Sequence, residues 1–140
     1  MTDDSYYKDY ILDHYQNPRN YGELDRPDFE SLENNPLCGD MIKMQIKITN
    51  SKQQVPNKLQ FPKSKIQKIM FSGSGCAISM ASASMLTEKV KGMSVEEAMK
   101  INKEDIVKML GIQLSPVRLK CALLPLQALH SAVQNMESGS

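Results

Sequence analysis

Two short segments alternate between apolar and polar residues in the way of half-buried β-strands. In Met41–Ile48, isoleucine and methionine occupy every second position, and lysine or glutamine stands between them. Lys65–Phe71 repeats the alternation after a polar connection over residues 49–64. A strand with one apolar and one polar face is typical of an antiparallel sheet with one side open to solvent. The pattern therefore predicts an antiparallel hairpin.

Most of the remaining chain favours helices. Asn17-Pro18 ends the first helix, because proline disfavours helical geometry at the residue before it. Residues 20–40 are predicted to be a loop with one short strand. Local caps mark the later helices, with a Ser94/Glu97 capping box among them. The predicted helices run from Asp4 or Ser5 to Gln16, from Ala77 to Val90, from Val95 to Ile101, from Asn102 to Gly111, and from Ser115-Pro116 to Gln134.

The order of the elements indicates the fold class. Strands come first and most helices follow, which favours an α+β fold. We predict a small antiparallel β-sheet with helices packed on one face. The 140 residues fit a single domain, predicted over residues 1–136, with a flexible tail over residues 137–140.

Composition and charge argue against several kinds of partner. The chain has 17 Lys and Arg against 16 Asp and Glu, so its net charge of +1 offers no attraction for nucleic acid. Its apolar runs are too short to span a membrane. The first residues, Met1–Ser5, are acidic and polar, unlike a secretory or mitochondrial leader. We therefore expect a cytoplasmic protein.

Three cysteines carry the candidate chemistry, and each has two interpretations. Cys38 precedes Asp40 by two residues in a turn that can direct both groups at one metal ion, or it is incidental to that turn. Cys76 follows a Gly-x-Gly turn at a predicted helix start, where the helix dipole favours thiolate, or it is a small buried corner residue. Cys121 lies on an apolar stripe, which by itself favours a place in the core.

The joint interpretation is a metal centre. An odd number of cysteines cannot pair completely within one chain, and cytosolic cysteines more often bind metal or catalyse than form disulfides. Three thiolates and one carboxylate complete a tetrahedral zinc site or hold an iron–sulfur cluster. The candidate ligands are Cys38, Asp40, Cys76 and Cys121.

Four stretches of the sequence resemble one family. The most specific surrounds Cys76. The stretches are residues 11–20 (ILDHYQNPRN), 35–40 (NPLCGD), 73–85 (GSGCAISMASASM) and 118–122 (RLKCA). They are similar to the iron–sulfur cluster assembly scaffold family, which includes IscU, SufU and the N-terminal domain of NifU.

The resemblance implies a SufE/NifU-like fold in which Cys38, Asp40, Cys76 and Cys121 converge. Family members accept persulfide sulfur from a cysteine desulfurase of the SufS/IscS type. They then build a [2Fe–2S] cluster on the cysteines, or in the SufU branch relay sulfur with bound zinc. The implied cofactor is zinc, or alternatively a transient [2Fe–2S] cluster. The implied partners are the desulfurase and downstream iron–sulfur apoproteins or carriers, and Cys38 is the implied persulfide acceptor.

Details of the resemblance favour the SufU branch. Lys120 precedes the last cysteine, as in SufU, where IscU has histidine. Residues 114–118 stand where IscU carries its Hsp70-type chaperone motif, but Ser115 replaces one proline, which argues against chaperone binding.

Two other functions remain open. A structural zinc-binding interaction domain would use the same ligands in a closed site without sulfur chemistry. A cysteine hydrolase has little support, because neither His14 nor His130 lies in a motif that supplies a base. Whether the chain is an enzyme depends on whether it acts as a zinc-dependent sulfurtransferase or as a scaffold and carrier.

Overall fold

The computed structural model describes residues 9–36, 39–49 and 64–139, with side chains described as far as Gln134. The elements of these residues, in chain order, are α1 (Asp9–Gln16), β1 (Phe29–Asn35), β2 (Asp40–Ile48), β3 (Ile66–Ser74), α2 (Ala77–Val90), α3 (Val95–Met99), α4 (Lys103–Leu110) and α5 (Pro116–Gly139).

The three strands form an antiparallel sheet in the order β1-β2-β3. The middle strand shows the predicted alternation, with Ile42, Met44 and Ile46 fully buried. Met44 pairs with Phe71 of β3, and Ile46 pairs with Ile69. The predicted hairpin of β2 and β3 is therefore confirmed.

One polar position of β2 departs from the prediction of a solvated face. Gln45 is only 4% exposed. Its side-chain oxygen accepts the backbone N–H of Leu24 at 2.8 Å, and its side-chain nitrogen donates to Glu30 at 2.9 Å. The loop before β1 thus covers part of the face that alternation alone predicts to be open, and the buried amide is satisfied by that loop and by β1.

Helices cover the opposite face of the sheet. α5 packs against β1 and β2, α2 packs against β3 and α5, and α1 packs against α2. The predicted α+β class with helices on one face is confirmed. In the described part of the chain, no helix combines the length and apolarity that a membrane span requires. The largest fully buried side chains are Phe71, Ile11, Ile42, Met44, Ile46, Ile48, Ile66, Ile69, Ile78, Leu86, Ile106 and Leu110.

One predicted strand is confirmed, and one strand boundary differs from the prediction. The short strand predicted within residues 20–40 is the seven-residue strand β1. Its inward positions include Ser31 and Asn35, so the apolar alternation that marks a strand is weak there. β3 continues to Ser74, although the sequence predicts a turn from Ser72 onward. The strand persists because Gly73 tolerates a φ of +128° in close contact with β2.

The helix boundaries agree with the sequence predictions better than the strand boundaries do. The capping box of Ser94 and Glu97 is present, although α3 ends at Met99 rather than Ile101. α5 runs to Gly139 rather than ending near Gln134. The predicted start of the first helix and nearly all of the 49–64 loop lie outside the described residues. The domain and tail limits at residue 136 stay predictions.

A polar network joins α1 and the following turn to α2. The Ser84 hydroxyl accepts the backbone N–H of Arg19 at 2.8 Å and lies 2.7 Å from His14 Nδ1. The Asn20 side chain donates to Glu88 at 2.8 Å. Burial lowers the pKa of His14, and the positive charge of Arg19 lowers it further. The neutral imidazole is therefore the form that this packing favours.

We expect the metal-free protein to lose stability as pH falls below neutrality. The pKa values of His14 and His130 are both lowered, mainly by burial, from an unfolded value of about 6.5. Their contribution is fully present above that unfolded value. It is lost as pH falls through the lower folded values, because the unfolded chain binds protons first. Urea unfolding followed by circular dichroism in chelator, from about pH 7.5 to 5, measures this.

The variant His14→Gln isolates one contribution to this pH dependence. Glutamine retains a side chain that can hydrogen-bond to Ser84 but has no group that titrates in this range. We expect the free energy of unfolding to vary less with pH in the variant, with His130 among the groups that provide the remainder. An unchanged slope would show that docking of α1 does not depend on the protonation of His14.

Candidate metal centre

Asp40 begins β2 and lies almost completely buried, at 2% exposure. It pairs with Asn35 at the end of the β1–β2 ladder, so the sheet fixes its backbone. One carboxylate oxygen, Oδ1, accepts the backbone N–H of Cys76 at 3.1 Å. The Cys76 N–H and the positive end of α2 together offset part of the cost of burying this carboxylate.

Cys76 lies in the short connection between β3 and α2 and is the N-cap residue of α2. Its side chain makes no capping hydrogen bond, so the sulfur is left for other contacts. Sγ stands 3.7 Å from Oδ2 of Asp40 and 3.8 Å from the hydroxyl of Ser79. The thiol is half-buried, in agreement with the predicted position at the start of a helix.

Cys121 lies in the second turn of α5 and is 2% exposed. Its two sequence interpretations, core residue and ligand, prove compatible. The residue belongs to the apolar core, and its sulfur also lies with the other candidate ligands. Val117, four residues before Cys121 and on the same side of the helix, is 55% exposed, and its neighbours in sequence are exposed too, so the apolar stripe is buried only from the second turn of α5 onward.

The structure brings Asp40, Cys76 and Cys121 together, with one ligand atom of each within 4.8 Å of the others. Among the described residues, this is the one group of three or more such side chains that could hold a metal ion. The fourth predicted ligand, Cys38, lies outside the described residues. Lys120, the residue before Cys121, has an exposed side chain.

The histidines lie elsewhere in the described structure. His14 contacts Ser84 of α2 through Nδ1. His130 hydrogen-bonds to the backbone of Ala98, and burial lowers its pKa. Neither belongs to the ligand group that the described residues form.

One neighbour of the centre, Ser79, was not singled out from the sequence. The Ser79 hydroxyl donates to the carbonyl oxygen of Cys76 at 3.1 Å and is fully buried. A Cβ on Gly75 would stand 2.2 Å from Ser79 Oγ and 3.2 Å from the Asp40 carboxylate, so glycine leaves room for both. The spacing in the sequence could have indicated Ser79, because it lies three residues after the N-cap cysteine and residues three apart on a helix are neighbours in space.

Known proteins share both sequence and fold with this chain. The family model described as NifU-like N terminal domain matches residues 6–139. The zinc-dependent sulfurtransferase SufU of Bacillus subtilis (strain 168) is 34% identical, over 98% of this chain and 95% of that protein. The iron-sulfur cluster assembly scaffold protein IscU of Escherichia coli (strain K12) is also 34% identical, over 94% of each.

A solved structure supports the fold independently. The crystal structure of a nitrogen-fixing NifU-like protein (N-terminal) from Brucella abortus superposes with a TM-score of 0.71 over 98% of each chain, at 19% identity. That likeness concerns the fold alone, whereas the family model and the two relatives concern the sequence. Together they show that the chain belongs to the NifU-like N-terminal domain family.

Proposed function

We propose that this protein is an iron–sulfur cluster assembly scaffold that accepts sulfur from a cysteine desulfurase of the SufS/IscS type. The observation that carries the proposal is the convergence of Asp40, Cys76 and Cys121 within 4.8 Å. These residues come from a strand, a helix start and a second helix, in a chain of the NifU-like N-terminal domain family. The names of its relatives, a scaffold and a zinc-dependent sulfurtransferase, support the same activity.

The donor set fits zinc. With bonds of about 2.3 Å to sulfur and 2.0–2.2 Å to oxygen, neighbouring ligand atoms in a tetrahedral site stand roughly 3.3–3.8 Å apart. The 3.7 Å between Cys76 Sγ and Asp40 Oδ2 falls in that range. In the proposal Cys38 supplies the fourth ligand, and bound zinc keeps its thiol ligands deprotonated. As the alternative to zinc, the three cysteines Cys38, Cys76 and Cys121 hold a transient [2Fe–2S] cluster, which is cargo and not a resident cofactor.

Asp40 makes the proposed centre able to open. A carboxylate is a harder ligand than a thiolate and exchanges more readily on a metal that prefers sulfur. When it is not bound to metal, Asp40 still accepts the Cys76 N–H through Oδ1. The released carboxylate therefore has a hydrogen-bond partner inside the protein, and opening does not leave it unsatisfied.

Cys38 is the proposed sulfur acceptor. Its thiolate attacks the terminal sulfur of the desulfurase persulfide, forming a new S–S bond on Cys38. The S–S bond of the desulfurase breaks at the same time, and the desulfurase cysteine leaves as a thiolate. One persulfide is consumed for each one formed, so the step needs no outside oxidant. Downstream iron–sulfur apoproteins or carriers then receive the sulfur or the finished cluster.

The SufU-like form of the proposal has zinc as the resident metal. Lys120, at the position before the last cysteine, supports this form, and its side chain is exposed on α5. An Hsp70-type chaperone is left out of the proposal because Ser115 interrupts the motif. We propose a cytoplasmic setting, where reducing conditions keep free thiols available.

Sulfur transfer to Cys38 has a direct test. We expect zinc-loaded protein, incubated without oxygen with a cysteine desulfurase and cysteine, to gain the mass of added sulfur. Cys38→Ser should lose this gain, because it lacks the attacking thiolate. Cys121→Ser is the matched control, since it also removes one candidate ligand thiol but keeps the acceptor. Intact-protein mass spectrometry measures the adduct, and circular dichroism verifies that each variant is folded.

Two outcomes of the sulfur-transfer experiment would contradict the proposal. Equal sulfur uptake by Cys38→Ser and wild type would remove Cys38 from the acceptor role. Purified protein that keeps one zinc, takes up no sulfur and forms no coloured cluster with iron would instead be a structural zinc-binding interaction domain.

A further inference from the structure

Ser79 is the third residue of α2, and its side chain is completely buried beside the candidate metal centre. Its hydroxyl lies 3.8 Å from the Cys76 sulfur. The Asp40 carboxylate also contacts this sulfur, at 3.7 Å. An ionised carboxylate only accepts hydrogen bonds, whereas a hydroxyl can donate one. Of these two neighbours, Ser79 is therefore the one able to donate to a Cys76 thiolate.

The proton of Ser79 is free to turn toward the sulfur. The hydroxyl now donates to the carbonyl oxygen of Cys76 at 3.1 Å. That carbonyl also accepts the backbone N–H of Met80 at 3.0 Å, so it stays satisfied if Ser79 turns away. Rotation about the Cβ–Oγ bond turns the hydroxyl proton, which stays on Ser79, from the Cys76 carbonyl oxygen toward the Cys76 sulfur. No heavy atom needs to move.

Gly75 provides the space for this arrangement. A side-chain carbon at Gly75 would stand 2.2 Å from Ser79 Oγ, which would force the hydroxyl out of its present position. The same carbon would stand 3.2 Å from the Asp40 carboxylate. The absence of a side chain at residue 75 therefore lets Ser79 and Asp40 approach Cys76 together.

We infer that Ser79 is a positioning residue that donates a hydrogen bond to the Cys76 sulfur when that sulfur binds metal. The inference deepens the proposed function and rests on it. Hydrogen bonds from a neighbouring side chain orient a ligand and reduce the charge that it donates to the metal. Ser79 thus fixes the direction of the Cys76 sulfur and weakens its electron donation, without itself being a ligand.

Ser82 offers a matched control on the same helix. It is also a completely buried serine, one turn further along α2. Its hydroxyl donates to the carbonyl oxygen of Ala122 on α5, at 2.7 Å. Ser82→Ala therefore removes a buried hydrogen bond of α2 while leaving the contacts of the Cys76 sulfur in place.

Cobalt(II) substitution tests the inference by optical absorption, independently of sulfur transfer. We expect Ser79→Ala to bind cobalt about tenfold more weakly, because losing the hydrogen bond that orients the sulfur and stabilises its thiolate form outweighs the gain in charge donation. Its sulfur-to-cobalt charge-transfer band should move to longer wavelength, because a thiolate without the hydrogen bond donates charge more readily. Ser82→Ala should keep the wild-type band and affinity, and Ser79→Thr, which retains a hydroxyl, should restore both.

The outcomes separate the inference from the proposed function. If wild type binds cobalt and Ser79→Ala shows the same band and affinity, the inference is wrong and the metal centre stands. If Ser79→Ala and Ser82→Ala weaken binding equally with no band shift, Ser79 serves only to stabilise α2. If wild type binds no cobalt, both the metal centre and the inference fail.

Discussion

Replacing Gly73 with alanine is expected to destabilise the metal-free protein by about 4 kcal/mol or more. Gly73 has a φ of +128°, and an added Cβ would lie 2.0 Å from the backbone carbonyl oxygen of Met41. Neither backbone can move away easily, because Ile42 and Gly73 are paired in the β2–β3 ladder. The clash must therefore separate the strand ends that lead to Asp40 and Cys76. Urea unfolding followed by far-ultraviolet circular dichroism measures the loss.

Gly92→Ala is the matched control for this prediction. Gly92 also has a positive φ, +84°, but an added Cβ there has nothing within 4 Å. Gly92→Ala introduces the conformational strain of a left-handed residue, about 1–2 kcal/mol, but no steric clash. Equal destabilisation by the two substitutions would show that strain alone, and not the close approach of the strands, makes Gly73 necessary.

The same glycine shows where sequence patterns stop being informative. The run from Ser72 to Cys76 predicts a turn because it is rich in glycine and serine. In the structure β3 continues to Ser74, and Gly73 is needed for a close approach of two backbones. Glycine permits both a turn and a close contact, and only the position of the neighbouring strand distinguishes them.

The sequence pattern predicts the buried face of strand β2 but does not predict the contacts of helix α2. β2 alternates because one face meets helices and the other is mostly polar, so its apolar face was predictable. α2 is buried on nearly every side, and its sequence has no clear polar stripe. Its buried serines satisfy different partners: Ser79 bonds to Cys76, Ser82 to α5, and Ser84 to His14 and the turn after α1. Composition indicates small buried residues there but cannot assign these partners.

The candidate ligands were predictable as residues but not as a geometry. The sequence offers Cys38, Asp40, Cys76 and Cys121 as candidates from their local settings and from a family resemblance. Their convergence depends on the strand pairing that brings the start of β2 beside the end of β3, and on the packing of α5. Such long-range contacts leave no periodic trace in the sequence around each ligand.

Neutralising one ligand should sharply weaken metal binding. Asp40→Asn keeps an oxygen to accept the Cys76 N–H but removes the negative charge that would face zinc. Structural zinc sites bind with about 10–16 kcal/mol over four ligands, so one ligand accounts for roughly 3 kcal/mol, or about a 100-fold change in dissociation constant. Competition for zinc with a coloured chelator measures this change.

Asp28→Asn provides the matched control, because Asp28, the residue before β1, contacts the opposite end of β2 from Asp40. The Asp28 carboxylate accepts the backbone N–H of Ile48 at 2.9 Å, so it too binds a β2-region amide but lies away from the ligand group. The substitution removes the same charge from the protein and keeps an accepting oxygen. We expect its zinc affinity to match wild type, and added chelator to lower its melting temperature as much as that of wild type.

Asp40→Asn should respond less to the chelator at the same zinc concentration, because ligand-linked stabilisation falls as the dissociation constant rises. A zinc affinity equal to that of wild type in Asp40→Asn would mean that Asp40 only supports the Cys76 backbone and that metal is held by the thiolates alone. Equal weakening in both variants would assign the effect to overall charge. A loss of zinc affinity confined to Asp40→Asn is the result that a carboxylate ligand requires.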